Sequence, residues 1–227
     1  NTGFGQGALI ANTSGTQNVA VGGGVYGSHN GALAANTTGS YNTAMGVGAL
    51  LSSTTGNYNT AVGKAALQAN TTASNNSALG YNALAANTTG SRNVAVGFEC
   101  LQTNTTGDDN TALGRGALNA STTGGTNTAV GSNALVANTT GYSNVAIGHQ
   151  SLDANTTGAG NVAVGKASLT KNTTASANTS VGMNAMFDTT DGYENTACGY
   201  ESLSNNTTGD FNTAIGCRAM LGNPSSA

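Results

Sequence analysis

The sequence predicts an all-β protein: a repetitive parallel β-roll or β-solenoid with 17 residues per coil and about 13 coils, assembled as a homo-oligomeric fibre. Three observations predict it. The phrase Asn-x-Ala-x-Gly and its close variants begin at Asn1, Asn18, Asn42, Asn59, Asn76, Asn93, Asn110, Asn127, Asn144, Asn161, Asn178, Asn195 and Asn212, always 17 residues apart except for the 24 between Asn18 and Asn42. A period of 17 is too short for a helix pair of roughly 30 residues or more, but it suits one solenoid coil. The unit is dominated by Asn, Thr and Gly, which favour turns, caps and strands over helix interiors. Finally, only 7% of the 227 residues are charged, against about 25% in ordinary globular domains. Residues 1–227 read as a single array of 13 copies with a seven-residue insertion near 23–31. Asn1 in place of Met is expected of a processed product or an excerpt.

Numbering the unit from its first Asn, positions 1 to 5 read Asn, Thr/Val, Ala, Val/Leu/Ile, Gly, as in Asn59 to Gly63. Strand alternation puts positions 2 and 4 on one face and the Ala of position 3 on the other. The expectation is that the Val/Leu/Ile rank at position 4 enters the core and the Ala rank faces out. Positions 8 to 11, Ala-Leu-x-Ala, are expected to form a second short strand with Leu inward. The expected core is therefore Val62, Leu67, Leu84, Val96, Leu118, Val130, Leu135, Val164 and Leu169. Gly at positions 5 and 15 marks turns that need positive φ or close backbone approach. Twelve of the 15 charges fall at positions 6, 7, 10, 16 and 17, which are expected to face solvent.

One isolated coil cannot fold. Ordering 17 residues costs on the order of 17–34 kcal/mol of backbone entropy, while a buried Leu and Val return only about 1.5–3 kcal/mol each. Coils must stack, and the bare Ala rank requires cover. A second sheet of the same chain or a neighbouring chain could supply it; the expectation is a neighbouring copy.

Residues for catalysis are scarce. His149 occupies a variable turn position and His29 lies in the insertion. Cys198 is read as a small inward hydrophobe at position 4; a bridge to Cys217 would require opposed side chains to meet. The nine carboxylates share no column, and paired acids for sugar hydrolysis are not evident. The chain is expected to be no enzyme and to need no cofactor or metal. Six scattered basic residues exclude nucleic acid as a partner, and no apolar run reaches the ~18 residues of a membrane helix.

Position 12 forms formal glycosylation sequons at Asn12, Asn36, Asn70, Asn87, Asn104, Asn138, Asn155, Asn172 and Asn206. The competing reading is turn chemistry with a side-chain ladder, because glycans on successive coils about 4.8 Å apart would be crowded. Candidate receptor contacts are Tyr26 and His29 of the insertion and the aromatics Tyr81, Phe98, Tyr142 and Tyr200.

Asn-Thr-Ala-Val-Gly (Asn59 to Gly63, Asn127 to Gly131) and Asn-Val-Ala-Ile-Gly (Asn144 to Gly148) resemble the head repeats of trimeric autotransporter adhesins. The full phrase through Ala-Leu-x-Ala-Asn-Thr-Thr-Gly is similar to arrays in bacterial and phage tail-fibre-domain proteins. The resemblance implies a homotrimeric, left-handed parallel β-roll, or a longer filament, displayed extracellularly on a cell or virion surface. It also implies a host-surface glycan or protein as partner. The adhesin head repeat is shorter than 17, so the turn between strands differs here. The expected function is a structural, non-catalytic fibre or adhesin segment, with a phage tail-fibre segment for receptor binding as one alternative. Ice binding through Thr and Asn ranks, such as Asn70 with Thr72, is the other.

Overall fold

A computed structural model describes residues 1–24 and 30–222. The chain divides into two compact units, Asn1–Asn110 and Thr111–Ala227. In the first, β1 (Thr2–Phe4), β2 (Val19–Val21), β3 (Thr43–Met45), β4 (Thr60–Val62), β5 (Ser77–Leu79) and β6 (Val94–Val96) follow one another across a parallel sheet. The second repeats the arrangement with β7 (Thr111–Leu113), β8 (Thr128–Val130), β9 (Val145–Ile147), β10 (Val162–Val164), β11 (Thr179–Val181), β12 (Thr196–Cys198) and β13 (Thr213–Ile215). Register is unstaggered: Val162 pairs with Thr179 and Ala163 with Ser180, so each repeat position stacks on itself. The chain is thus a parallel β-solenoid of about 17 residues per turn, and the described residues contain no helix.

The coil from Asn127 to Ser143 shows how the unit closes. Thr128 N–H donates to Asn144 O at 2.8 Å and Gly131 N–H to Leu113 O at 2.8 Å, framing the strand. Leu135 N–H reaches Ser151 O at 3.0 Å, Ala137 N–H reaches Asp153 O at 3.1 Å, and Thr139 N–H reaches Thr156 O at 2.9 Å. The turns therefore spend their backbone groups on the next coil as the strand does, which a solenoid of short strands requires.

Two asparagine ladders fasten the coils internally, the second broken where position 12 is Ser53, Ser121 or Thr189. Asn144 (position 1) donates its carboxamide to Gly158 O at 2.8 Å, and Asn155 (position 12) donates to the same carbonyl at 3.0 Å. Asn144 Oδ1 in turn accepts Asn161 N–H at 2.9 Å, and Asn155 Nδ2 donates to Asn138 Oδ1 at 2.9 Å. All four carboxamides are fully buried. Buried amides are tolerated because each is hydrogen-bonded within its coil and to the next. The convergence also explains Gly at position 15: a Cβ on Gly158 would strike Asn155 Oδ1 and the Ala175 carbonyl.

The outcome corrects the facing expectation. The Ala rank is the core: Ala61, Ala95, Ala129 and Ala163 are wholly buried, with the Leu rank Leu67, Leu84, Leu118, Leu135 and Leu169 beside them. Val62, Val96, Val130 and Val164 are only half-buried, on the outward side of the strand. The cause is the narrowness of the coil. Asn at positions 1 and 12 and Leu at position 9 fill the interior, leaving room opposite for a side chain no larger than that of Ser180. Positions 8 to 11 form turns instead of a second strand; Leu135 takes a left-handed φ of 51° that directs its side chain inward. Left-handed backbone costs a non-glycine residue about 1–2 kcal/mol, and burial of the Leu, about 1.5–3 kcal/mol, offsets it.

Positions 7 and 17 are also left-handed, for example Ala167 (φ 53°) and Ala177 (φ 60°). Ala177 is exposed and serves only to turn the chain. Replacing it by Gly is expected to raise stability by about 0.5 kcal/mol, because relief of the left-handed strain exceeds the entropy that glycine adds to the unfolded chain. A fall of the same size in urea unfolding would contradict this.

Around the insertion the ladder closes on both sides. Gly24 N–H donates to Gln6 O at 3.0 Å and Asn30 O accepts Gly48 N–H at 3.0 Å, contacts that one turn makes in the other coils. The described residues on either side of the insertion therefore keep the coil-to-coil bonding of the stack.

Candidate interaction face

Every strand offers its position 2 and 4 side chains to the outside. In the first unit position 4 reads Phe4, Val21, Met45, Val62, Leu79, Val96, and in the second Leu113, Val130, Ile147, Val164, Val181, Cys198, Ile215. Leu79 is 50% exposed and Ile147 40%, although both lie mid-sheet. Position 2 alongside is Thr, Val or Ser throughout, so neither rank carries a charge. Six strands about 4.8 Å apart and three residues wide at about 3.3 Å each present roughly 290 Å² in the first unit alone. The face is uncharged and mixed, with hydroxyl-bearing Thr2, Thr43, Thr60 and Ser77 beside the apolar position 4 rank.

This face was missed by alternation alone, but a signal for it exists. Position 3 never exceeds Ser in size (Gly3, Ser180, otherwise Ala), whereas position 4 ranges from Cys198 to Phe4. Tolerance of size marks the unconfined side. Cys198 is accordingly exposed rather than inward, and Cys198 and Cys217 are free thiols.

The columns flanking the strand hold the other candidates. Tyr81 and Phe98 stack with ring centroids 5.4 Å apart, Tyr41 and Tyr58 at 4.8 Å, near the coil repeat. Lys64 Nζ lies 5.8 Å from the Tyr81 ring centroid. Stacking along the column commits ring faces to neighbouring coils and leaves ring edges for a partner. Tyr142 is 60% exposed and Tyr200 is exposed beneath Arg218, which lies 5.6 Å from its ring. Tyr26 and His29 lie outside the described residues. His149 is exposed.

Ion pairs join adjacent coils: Arg92 with Asp109 at 2.7 Å and Arg218 with Glu201 at 2.8 Å. The Arg92 hydrogen bond holds the Asp109 carboxyl below its usual range; hydrogen bonds from Tyr200 and Arg218 do the same for Glu201. These pairs are exposed and add little stability. Half-buried Asp153 differs, because desolvation pushes its carboxyl up against the opposing pull of backbone N–H bonds and His149. Among the described residues no three His, Cys, Asp or Glu gather as a metal site.

The sequon asparagines Asn36, Asn70, Asn87, Asn104, Asn138, Asn155, Asn172 and Asn206 are buried, and Asn12 is half-buried. Asn70 is internal while Thr72 is exposed, so these two do not share a face, as the ice-binding expectation requires.

Fold and face together define a parallel β-solenoid repeat protein with an uncharged outward strand face. No protein-family description, curated protein or solved structure matches the chain.

Proposed function

We propose that the chain is a non-catalytic structural segment of an extracellular fibre or surface adhesin, and that copies meet through their outward strand faces as a homotrimer. The single observation that carries this reading is the uncharged double rank at positions 2 and 4, repeated on every strand. Coil repetition makes each contact weak and the sum strong, since linked contacts multiply by avidity. A host-surface glycan or protein would then meet the exposed edges of Tyr81, Phe98, Tyr142 and Tyr200, as expected of a cell-surface or tail-fibre segment.

One observation favours a second reading. Thr or Val at position 2 and Val or Ile at position 4 stand about 6.6 Å apart on one outward strand face and repeat about every 4.8 Å, a regular array suited to ordering water for ice binding.

Substituting Val130, Ile147 and Val164 together by Lys should separate the assembly into folded monomers in sedimentation velocity, because three ammonium groups per copy would have to be desolvated. Thr140→Lys, on an exposed turn outside the face, should leave assembly intact. A folded monomeric wild type with thermal hysteresis that the triple variant loses would favour ice binding and refute the fibre.

A further inference from the structure

The position 12 column is interrupted every 68 residues, at Ser53, Ser121 and Thr189. Ser53 lies within the first unit between Asn36 and Asn70 and is fully buried. In an intact stretch, Asn87 Nδ2 donates both to Gly90 O at 2.8 Å and to Asn70 Oδ1 at 3.0 Å. At the break this pattern fails on both sides. Asn36 Oδ1 and Ser53 Oγ are buried and have no hydrogen-bond partner among protein atoms. Gly56 O accepts Asn42 Nδ2 at 2.8 Å, whereas equivalent carbonyls such as Gly39 O accept two asparagines.

We infer that one internal water molecule is bound beside Ser53 and completes the asparagine ladder, held by Asn36 Oδ1, Gly56 O, Ser53 Oγ and the Asn70 carboxamide. Exchanging a carboxamide for a hydroxyl removes two heavy atoms, room on the order of the ~30 Å³ a water takes. The chemistry selects water over an ion. Two acceptors, Asn36 Oδ1 and Gly56 O, require donors, which excludes an anion. The column's repeat geometry turns the second amide hydrogen of Asn70 toward the same space, which opposes a cation. Water donates twice and accepts twice, as these groups demand. Thr189 breaks the same column with one more carbon and leaves less room, and Ser121 and its column neighbour Asn104 belong to different units, so the inference is confined to Ser53.

A crystal structure at about 1.5 Å should show one full-occupancy water within about 2.7–3.2 Å of Asn36 Oδ1 and Gly56 O. In Ser53→Asn the new carboxamide nitrogen should take its place. Oxygen-17 relaxation dispersion should count one fewer long-lived water in Ser53→Asn than in wild type. Three findings would overturn the inference: a direct Ser53 Oγ to Asn36 Oδ1 hydrogen bond with no density between coils, an ion at about 2.3–2.6 Å from the oxygens, or equal water counts. The wild-type density decides the matter even if the variant fails to fold.

Discussion

Replacing Asn144 by Asp is expected to cost at least about 3 kcal/mol at pH 7, although the two side chains are nearly isosteric. The carboxylate keeps the bond that Oδ1 accepts from Asn161 N–H at 2.9 Å. It loses both donations of Nδ2, to Gly158 O at 2.8 Å and to Asn127 Oδ1 at 3.2 Å, and sets an anion against two oxygens in a fully buried site. Burial and these oxygens raise the folded-state pKa above the unfolded value of about 3.9. Stability is therefore least impaired below about pH 3.9, where both states are protonated, and falls as pH rises toward the folded-state pKa. Urea unfolding of wild type and variant at several pH values checks the sign: a deficit that shrinks with rising pH would refute the ladder's role.

Gly148→Ala is expected to cost about 3 kcal/mol or more. Its φ of 135° is closed to residues with a Cβ, and the added carbon would approach Gly165 O at 2.5 Å and Gly165 C at 2.6 Å. Gly158→Ala should be milder, since the chain already accommodates Ala73 and Ala175 at the same repeat position. The two glycines therefore differ in kind: Gly148 supplies a backbone conformation, Gly158 only space. Denaturant unfolding that ranks Gly158→Ala as the worse substitution would reverse this assignment.

The period, strand position and inward Leu rank were legible because each repeats at a fixed spacing, as at Leu67, Leu84 and Leu135. Alternation also placed Thr60 and Val62 together on one side of the strand. It could not say which side was inside, because hydropathy alone favours Val over Ala for the core. That decision belongs to the coil's cross-section, where buried Asn59, Asn70 and Leu67 leave space for Ala61 only. The left-handed Leu135 was illegible for a related reason: its own propensity opposes that conformation, and only hydrogen bonds to the neighbouring coil and burial stabilise it. Among the candidate contacts, Tyr81 and Phe98 lie 17 residues apart and so share a column, but their stacking was seen only in the structure, and the outward rank of Val130 and Ile147 required the facing to be known.

Inverting the faces moves the proposed contact between copies from Ala61, Ala95 and Ala129 to Val62, Val96 and Val130. Sedimentation equilibrium of the unaltered chain tests that claim most directly. Assembly through the strand face predicts a native mass near three times the 22.1 kDa of the chain, persisting on dilution. A folded, monodisperse species of 22.1 kDa would contradict it and leave the outward Val and Thr ranks facing water.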